Sequence, residues 1–170
     1  VMWWAMRAED GRGEPTALST AVANFFNREN VTEVAVGIHH GEIDTDDLIR
    51  LTYVLFEVSD AGDPVAIRLV DRLADEVSTM AIVAMRRLDL VRQDTEVVLG
   101  GGLLMARNER LVRGISDRVR AEAPGAQVGV VDVPPIAGAA LLGLDHLGMA
   151  QDAHDRLRDA YATAGIQAGG

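Results

Sequence analysis

The sequence predicts an α/β protein that is rich in helix and poor in strand. Two short segments with β-branched residues, 96–99 and 127–133, have the composition of strands. An amphipathic helical pattern separates them, and another helical pattern follows the second. The order helix, strand, glycine turn, helix, strand, helix is typical of a parallel-sheet α/β unit. Because two strands alone make a poor sheet, we expect the sheet to be incomplete.

The composition indicates one folded domain. The chain has 170 residues, of which 48% are hydrophobic, and its mean hydropathy is +0.09, which argues against disorder. No apolar run is long enough to span a bilayer, and no signal-peptide pattern opens the chain. The chain has no cysteine, which is compatible with the cytoplasm, where we expect the protein. A net charge of −10 argues against a nucleic-acid partner, since binding a phosphate backbone requires clustered Lys and Arg.

The N-terminal half carries apolar spacings typical of helices. Thr16 is expected to cap a helix with one apolar face. That face consists of Leu18, Val22, Phe25 and Phe26. Segment 31–38 is rich in β-branched residues, which suits a strand as well as a short helix. Thr45, with Asp46 and Asp47 in the first turn, is expected to begin another helix. Its inward positions are Leu48, Leu51, Leu55 and Phe56.

The boundary at residues 61–64 is sharper. Gly62 is predicted to end one helix and Asp63 to cap the next, while Pro64 takes the first helical position, where its missing N–H costs nothing. Apolar residues then recur at spacings of three and four, which predicts a long helix buried along one stripe. The predicted stripe consists of Ala66, Leu69, Val70, Leu73, Val77, Met80, Ala81, Ala84 and Leu88.

The segment 95–104 is the most informative in the chain. A strand runs into three consecutive glycines, residues 100–102, before a helix predicted over 108–121. Glycine lets the backbone turn tightly and brings it bare against a ligand, because no Cβ intervenes. The segment matches neither a dinucleotide-binding G-x-G-x-x-G nor a P-loop, and by itself a triple glycine favours a plain turn. A helix opened by Pro134 and Pro135 follows the second strand.

Four motifs stand in an order that resembles a known family. They are AMRAEDGRG with TAL at residues 5–13 and 16–18, AGDP at 61–64, VVLGGG at 97–102, and DVPP with GAAL at 132–135 and 138–141. This order is similar to the C-terminal lobe of N-acetylglucosamine kinases and of the BadF/BadG/BcrA/BcrD-type ATPases. Both belong to the actin/hexokinase/sugar-kinase superfamily. The resemblance covers nearly the whole chain, from Ala5 to Leu147.

The resemblance implies a ribonuclease-H-like, actin-like ATPase lobe over residues 1–148, followed by a C-terminal helix and tail over 149–170. Such a lobe holds ATP in the cleft of a two-lobed kinase, with Mg²⁺ and an amino sugar as further partners of the complete enzyme. The residues implied to bind the nucleotide are Gly62, Asp63, Gly100, Gly101, Gly102 and Leu103. A helix stop and cap also explain Gly62 and Asp63 fully, so both interpretations stay open for them.

The chain departs from the family at the catalytic machinery. The family's Asp-x-Gly-x-Thr phosphate loop, its catalytic aspartate, its second phosphate loop and its Mg²⁺ ligands have no counterpart here. The chain also opens on Val1, so we expect a fragment or truncated product that does not phosphorylate N-acetylglucosamine alone. The absence of cysteine favours the sugar-kinase branch over cluster-bearing dehydratase activators. Two other hypotheses stay open: a non-catalytic α/β interaction module derived from such a kinase, and an enzyme with an unrecognised site.

The remaining features carry weaker predictions. His39 and His40 point apart on either secondary structure, so we expect surface histidines, and the same applies to His146 and His154. Trp3 and Trp4 are interpreted as core anchors or as contacts for absent chain, because both side chains are large and apolar. An unpaired edge of the strand at 96–99 would invite pairing with another chain, and we therefore expect a homo-oligomer.

Overall fold

Helices dominate the structure, and a small parallel sheet completes it. The computed structural model describes residues 1–131 and 135–163. The chain divides into two units, Val1–Val130 and Val131–Gly170. The first unit contains helices and both strands, and the described part of the second contains helices alone. The predicted helix-rich α/β class is therefore confirmed. No helix in these described ranges combines the length and the apolar character that crossing a membrane requires.

The elements follow the predicted order. In the first unit they are α1 (Met2–Glu9), α2 (Leu18–Phe25), α3 (Val31–His39), a 3₁₀ helix (Thr45–Arg50), α4 (Leu51–Asp60), α5 (Pro64–Arg87), β1 (Glu96–Leu99), α6 (Gly102–Met105), α7 (Glu109–Glu122) and β2 (Gln127–Val130). In the second unit they are α8 (Pro135–His146) and α9 (Gln151–Thr163). β2 ends before the predicted limit of 133, and positions 132–134 lie outside the described residues.

Side-chain caps stand before two helix starts in the N-terminal half. The ambiguous segment 31–38 is helix α3, because the Asn30 side chain accepts a hydrogen bond from the Glu33 N–H at 2.8 Å. The next element begins at Thr45, as predicted, with Asp44 as its cap; it starts as a 3₁₀ helix and becomes α4 only at Leu51. A short side chain with a free oxygen stands directly before each start.

Helix α3 also receives a cap from another element. Glu9, the last residue of α1, accepts hydrogen bonds from the Val31 N–H at 2.7 Å and the Thr32 N–H at 2.9 Å. The Thr32 hydroxyl donates to the same carboxylate at 2.7 Å. These donors belong to the first turn of α3, whose N–H groups have no partner within the helix. α1 therefore supplies part of the N-terminal cap of α3.

The long helix α5 is buried along a slightly different stripe from the predicted one. Val70 and Ala74 are fully buried, and Ser78 and Met85 continue this line. Met80, predicted to lie inward, is 66% exposed, and Ala84 is exposed as well. Leu88 follows the last turn and is 67% exposed. At 3.6 residues per turn, Ala84 lies five full turns after the buried Ala66 and faces the same direction, so the side of α5 that its neighbours cover changes along the helix.

Helices α5 and α7 pack along each other in the core. Leu111, Ile115 and Val119 of α7 are fully buried. The helices approach closely at Gly114, where an added Cβ would lie 3.0 Å from the Cβ of Ala74. Ion pairs cross the same interface: Arg110 binds Asp71 through two hydrogen bonds of 2.8 Å, Arg118 binds Asp75, and Arg86 binds Glu122.

The sheet has one covered face and one open face. β1 and β2 pair in parallel, with Glu96 opposite Gln127 and Leu99 opposite Val130. The covered face packs on the core and consists of Val97, Leu99, Val128 and Val130. On the open face, Val98 is 64% exposed. Parallel sheets are normally covered on both faces, so this sheet is open where other proteins place further elements.

Candidate functional site

The glycine loop, residues 100–102, leaves β1 at its carboxyl end. In parallel α/β sheets, ligands bind at this end of the strands. Gly101 has φ +98° and Gly102 begins the short helix α6. Backbone hydrogen bonds from Leu104 and Met105 to the Gly101 carbonyl, at 3.0 and 2.9 Å, close the turn. All three glycines are exposed, so the loop presents bare backbone to solvent beside the sheet.

The glycines of this loop have different local explanations. Gly101 needs glycine because a positive φ strains every residue that carries a Cβ. Gly102 does not have a positive φ, and an added Cβ would meet nothing within 4 Å. Glycine at a helical position destabilises a helix by about 1 kcal/mol relative to alanine. The chain's own structure therefore gives no reason for glycine at position 102.

Gly62 and Asp63 form the predicted helix stop and cap. Gly62 has φ +93°, and Asp63 Oδ1 accepts hydrogen bonds from the Val65 and Ala66 N–H groups at 3.0 and 2.9 Å. The same carboxylate also holds the start of α2. The Thr16 hydroxyl donates to Oδ1 and the Ala17 N–H donates to Oδ2, each at 2.8 Å. Four donors from the protein thus contact the Asp63 carboxylate, three at Oδ1 and one at Oδ2, and they account for an acidic residue at this position.

The environment of Asp63 favours its ionised form. Burial acts to raise the pKa of its carboxyl, but hydrogen bonds from Ala66, Ala17, Thr16 and Val65 outweigh burial and hold the pKa below its ordinary value. A carboxylate that accepts several backbone N–H groups at a helix N-terminus is stabilised by these dipoles. Asp63 is therefore a charged structural cap at the start of both α2 and α5.

One side-chain hydrogen bond links the chain just after the glycine loop to the helix that precedes Gly62 and Asp63. The Asn108 amide donates to the Asp60 carboxylate at 3.2 Å, which ties the chain just after α6 to the end of α4. Asn108 is buried and also accepts from the Leu111 N–H, capping α7. Within the described ranges, no hydrogen bond links residues 62–63 with residues 100–103. Asn108 is the connecting residue that the sequence interpretation treated only as a helix start.

Two hollows lie near these elements. One, of about 390 Å³, borders the helix stop and is lined by Ala17, Glu57, Val58, Ala61, Gly62 and Asp63. The other, of about 440 Å³, lies between α5 and α7 and is lined by charged side chains, among them Asp60, Asp71 and Arg110. Acidic groups predominate in both, so neither hollow suits a phosphate chain. Leu103, the last predicted site residue, is half-buried against the core.

The described residues do not fit a metal site of their own. They contain no cluster of three or more His, Asp or Glu side chains that could hold an ion. The rings of His39 and His40 contact each other edge-on, with centroids 5.3 Å apart.

The prediction of a surface residue is wrong for His154, which is only 6% exposed. Its Nε2 lies 2.7 Å from Asp145 Oδ1 and its Nδ1 lies 3.2 Å from the Ala150 carbonyl, which ties α8 to α9.

The chain was compared with known proteins in three ways. No model of a protein family matches it, and neither a curated protein nor a solved structure does.

Proposed function

We propose that the chain binds an adenine nucleotide at the glycine loop. In this proposal it is the nucleotide-binding half of an ATP-dependent sugar kinase similar to the N-acetylglucosamine kinases, with a ribonuclease-H-like lobe. The observation that carries the proposal is Gly102: it lies at the carboxyl end of a parallel strand and is glycine without any internal reason. A flat base or ribose against the backbone would supply that reason, since a Cβ would intrude on it.

In this proposal the glycine loop binds the adenosine, and the residues that carry out phosphoryl transfer belong to other chain segments. Among the described residues there is no group of three or more His, Asp or Glu side chains that could hold a metal ion. The phosphate loops, the catalytic base and the Mg²⁺ ligands would come from a second lobe, as the resemblance implies. The chain by itself is then a binding unit, and the amino sugar is a substrate of the complete enzyme only.

The test compares nucleotide affinity in two glycine variants. ADP and ATP binding is measured by isothermal titration calorimetry, and folding by circular dichroism. We expect Gly102→Ala to keep or raise stability while it weakens nucleotide binding at least tenfold. Gly143→Ala is the matched control, because this glycine is also helical and an added Cβ there also meets open space. Absence of binding to the parent, or equal affinity in parent and Gly102→Ala, would refute the proposal.

A second pair of variants tests the turn itself. Gly101→Val places a β-branched residue at positive φ and should abolish nucleotide binding while the helical signal persists. Gly41→Val is its control, since Gly41 has φ +73° in an exposed turn that also offers open space. Equal loss of binding in both variants would assign the effect to backbone strain.

A non-catalytic interaction module is the second candidate function. The observation in its favour is the sheet, whose β1 carries an unpaired edge within the described residues and an exposed Val98 on its open face. Such an edge offers backbone N–H and C=O groups to an added strand. This candidate predicts that the parent binds no nucleotide at all, so the calorimetry above separates the two functions.

A further inference from the structure

One side of helix α5 is solvent-exposed, although the residues in the middle of that side are apolar. Met80 is 66% exposed and Val83 is 37% exposed, and Thr79 and Ala84 lie beside them. Together with Glu76 and Arg87 at the ends, these residues line a shallow groove of about 320 Å³. We call this surface the α5 outer face. It lies opposite the buried line of Val70, Ala74 and Ser78, so it is free of the core packing of the first unit.

The charged ends of the α5 outer face have no partners of their own. The side chains of Glu76 and Arg87 make no ion pair or hydrogen bond within the described part of the chain. Three other charged residues of α5 do have partners: Asp71, Asp75 and Arg86 each bind a residue of α7. The α5 outer face thus has an unpaired acid at one end and an unpaired base at the other. Its two ends therefore carry opposite charges.

This pattern is complementary to itself in the antiparallel direction. The six positions are symmetric about the midpoint of residues 81 and 82. Antiparallel pairing with a second copy therefore places Glu76 opposite Arg87, Thr79 opposite Ala84 and Met80 opposite Val83. An ion pair then forms at each end, about 16 Å apart at a rise of 1.5 Å per residue, with the apolar residues between them. Parallel pairing would instead place Glu76 against Glu76, so the charges select the antiparallel direction.

We propose that the α5 outer face is a homodimer interface, in which α5 packs antiparallel on α5 of a second copy about a two-fold axis. A two-fold interface uses the same surface on both subunits, which is what this symmetric pattern offers. The small side chains at positions 79 and 84 allow the helices to approach to the usual 8–10 Å. This surface differs from the edge of β1, where the sequence predicted self-association, and it does not depend on nucleotide binding.

The interface is small, and its strength follows from its size. Six residues on each side cover less than the surface of about 800 Å² per partner that stable complexes bury. We therefore expect reversible dimerisation with a Kd on the order of 10–100 µM. Exposed ion pairs add little affinity but penalise a wrong arrangement through like-charge contact. Charge variants should consequently change the dimer more than they change the fold.

The test is a charge swap followed by sedimentation equilibrium of the full chain. Glu76→Arg places arginine against Arg87, and Arg87→Glu places glutamate against Glu76. Each single variant should dimerise at least tenfold more weakly than the parent. An equimolar mixture of the two should associate again, because each copy then meets its opposite charge at both ends. Arg113→Glu is the matched control: it changes the net charge equally on an exposed position of α7, and should leave dimerisation unchanged.

Met80→Asp provides a second measurement, because it removes the apolar centre at an exposed position that the fold does not use. We expect it to yield a monomer with unchanged circular dichroism. A parent that stays monomeric at millimolar concentration overturns the proposal and assigns this surface to a different partner. A dimer that tolerates both single charge variants, or a mixture that fails to associate, overturns it as well, and would place the contact elsewhere, such as the β1 edge.

Discussion

Removing the Asp63 carboxylate tests whether this residue is a structural cap. Its oxygens accept the Val65 and Ala66 N–H groups of α5, and the Thr16 hydroxyl and Ala17 N–H at the start of α2. Loss of an N-cap costs about 1 kcal/mol. The two contacts to α2 are hydrogen bonds to a charged group, worth about 1 kcal/mol each where water can replace them. Asp63→Ala should therefore lower the free energy of unfolding by about 3 kcal/mol.

The assay is urea and thermal unfolding followed by circular dichroism at 222 nm. For a chain of this length, about 3 kcal/mol corresponds to a fall in Tm of roughly 6–12 °C. Asp63→Asn keeps the oxygen that binds α5 but turns a donor toward the Ala17 N–H, so it should lose about 1–2 kcal/mol. The control is Asp44→Ala, which removes an exposed cap with the single donor Asp46 and should cost less than about 1 kcal/mol.

The pH dependence of the same variants has a definite sign. The pKa of Asp63 is lowered in the folded state, so its contribution is complete above the unfolded pKa and declines as pH falls through the folded pKa. The stability difference between parent and Asp63→Ala should be constant above about pH 5 and should shrink below about pH 4. Unchanged stability of Asp63→Ala with a loss of nucleotide binding would refute the structural role and restore the ligand contact that the resemblance implies.

Two further predictions concern buried polar side chains. Ser59 is 4% exposed, and its hydroxyl has no hydrogen-bond partner in the described structure. Ser59→Ala should therefore raise the free energy of unfolding, measured by urea titration, by about 1 kcal/mol. A loss of stability would instead reveal a partner for the hydroxyl. His154→Phe removes the contacts to Asp145 and Ala150. Amide hydrogen exchange over α8 and α9 should then accelerate about tenfold or more, while residues 1–130 keep their protection. Unchanged exchange would show that these contacts do not hold the two helices together.

Local chemistry explains which elements the sequence could predict. The stop and cap at Gly62, Asp63 and Pro64 follow from φ and from missing donors, which are properties of single residues, and the structure has them as predicted. The strand before the glycine loop and the helix after it were equally clear. The segment 31–38 was ambiguous because its helical state depends partly on Glu9, a residue of another element that no local pattern reveals.

The candidate site depended on longer-range information. The positions of Gly101 and Gly102 at the end of a parallel strand could be inferred from the sequence, but the engagement of Asp63 by Thr16 and Ala17 could not, since α2 lies far from it along the chain. The burial of His154 likewise depends on Asp145 of a neighbouring helix. The exposure of Met80 could not be predicted either, because it depends on which side of α5 is covered by α7.

The cap that Glu9 places on α3 has a consequence for spectroscopy. Both tryptophans of the chain, Trp3 and Trp4, belong to α1, where their rings contact each other edge-on. Because the last residue of α1 contacts the first turn of α3, displacement of α1 also removes part of the cap of α3. Trp4 packs against the buried core, so tryptophan emission reports the N-terminal helices together with the part of the core that Trp4 contacts. The glycine loop carries no tryptophan, and following it separately requires a probe introduced beyond residue 90.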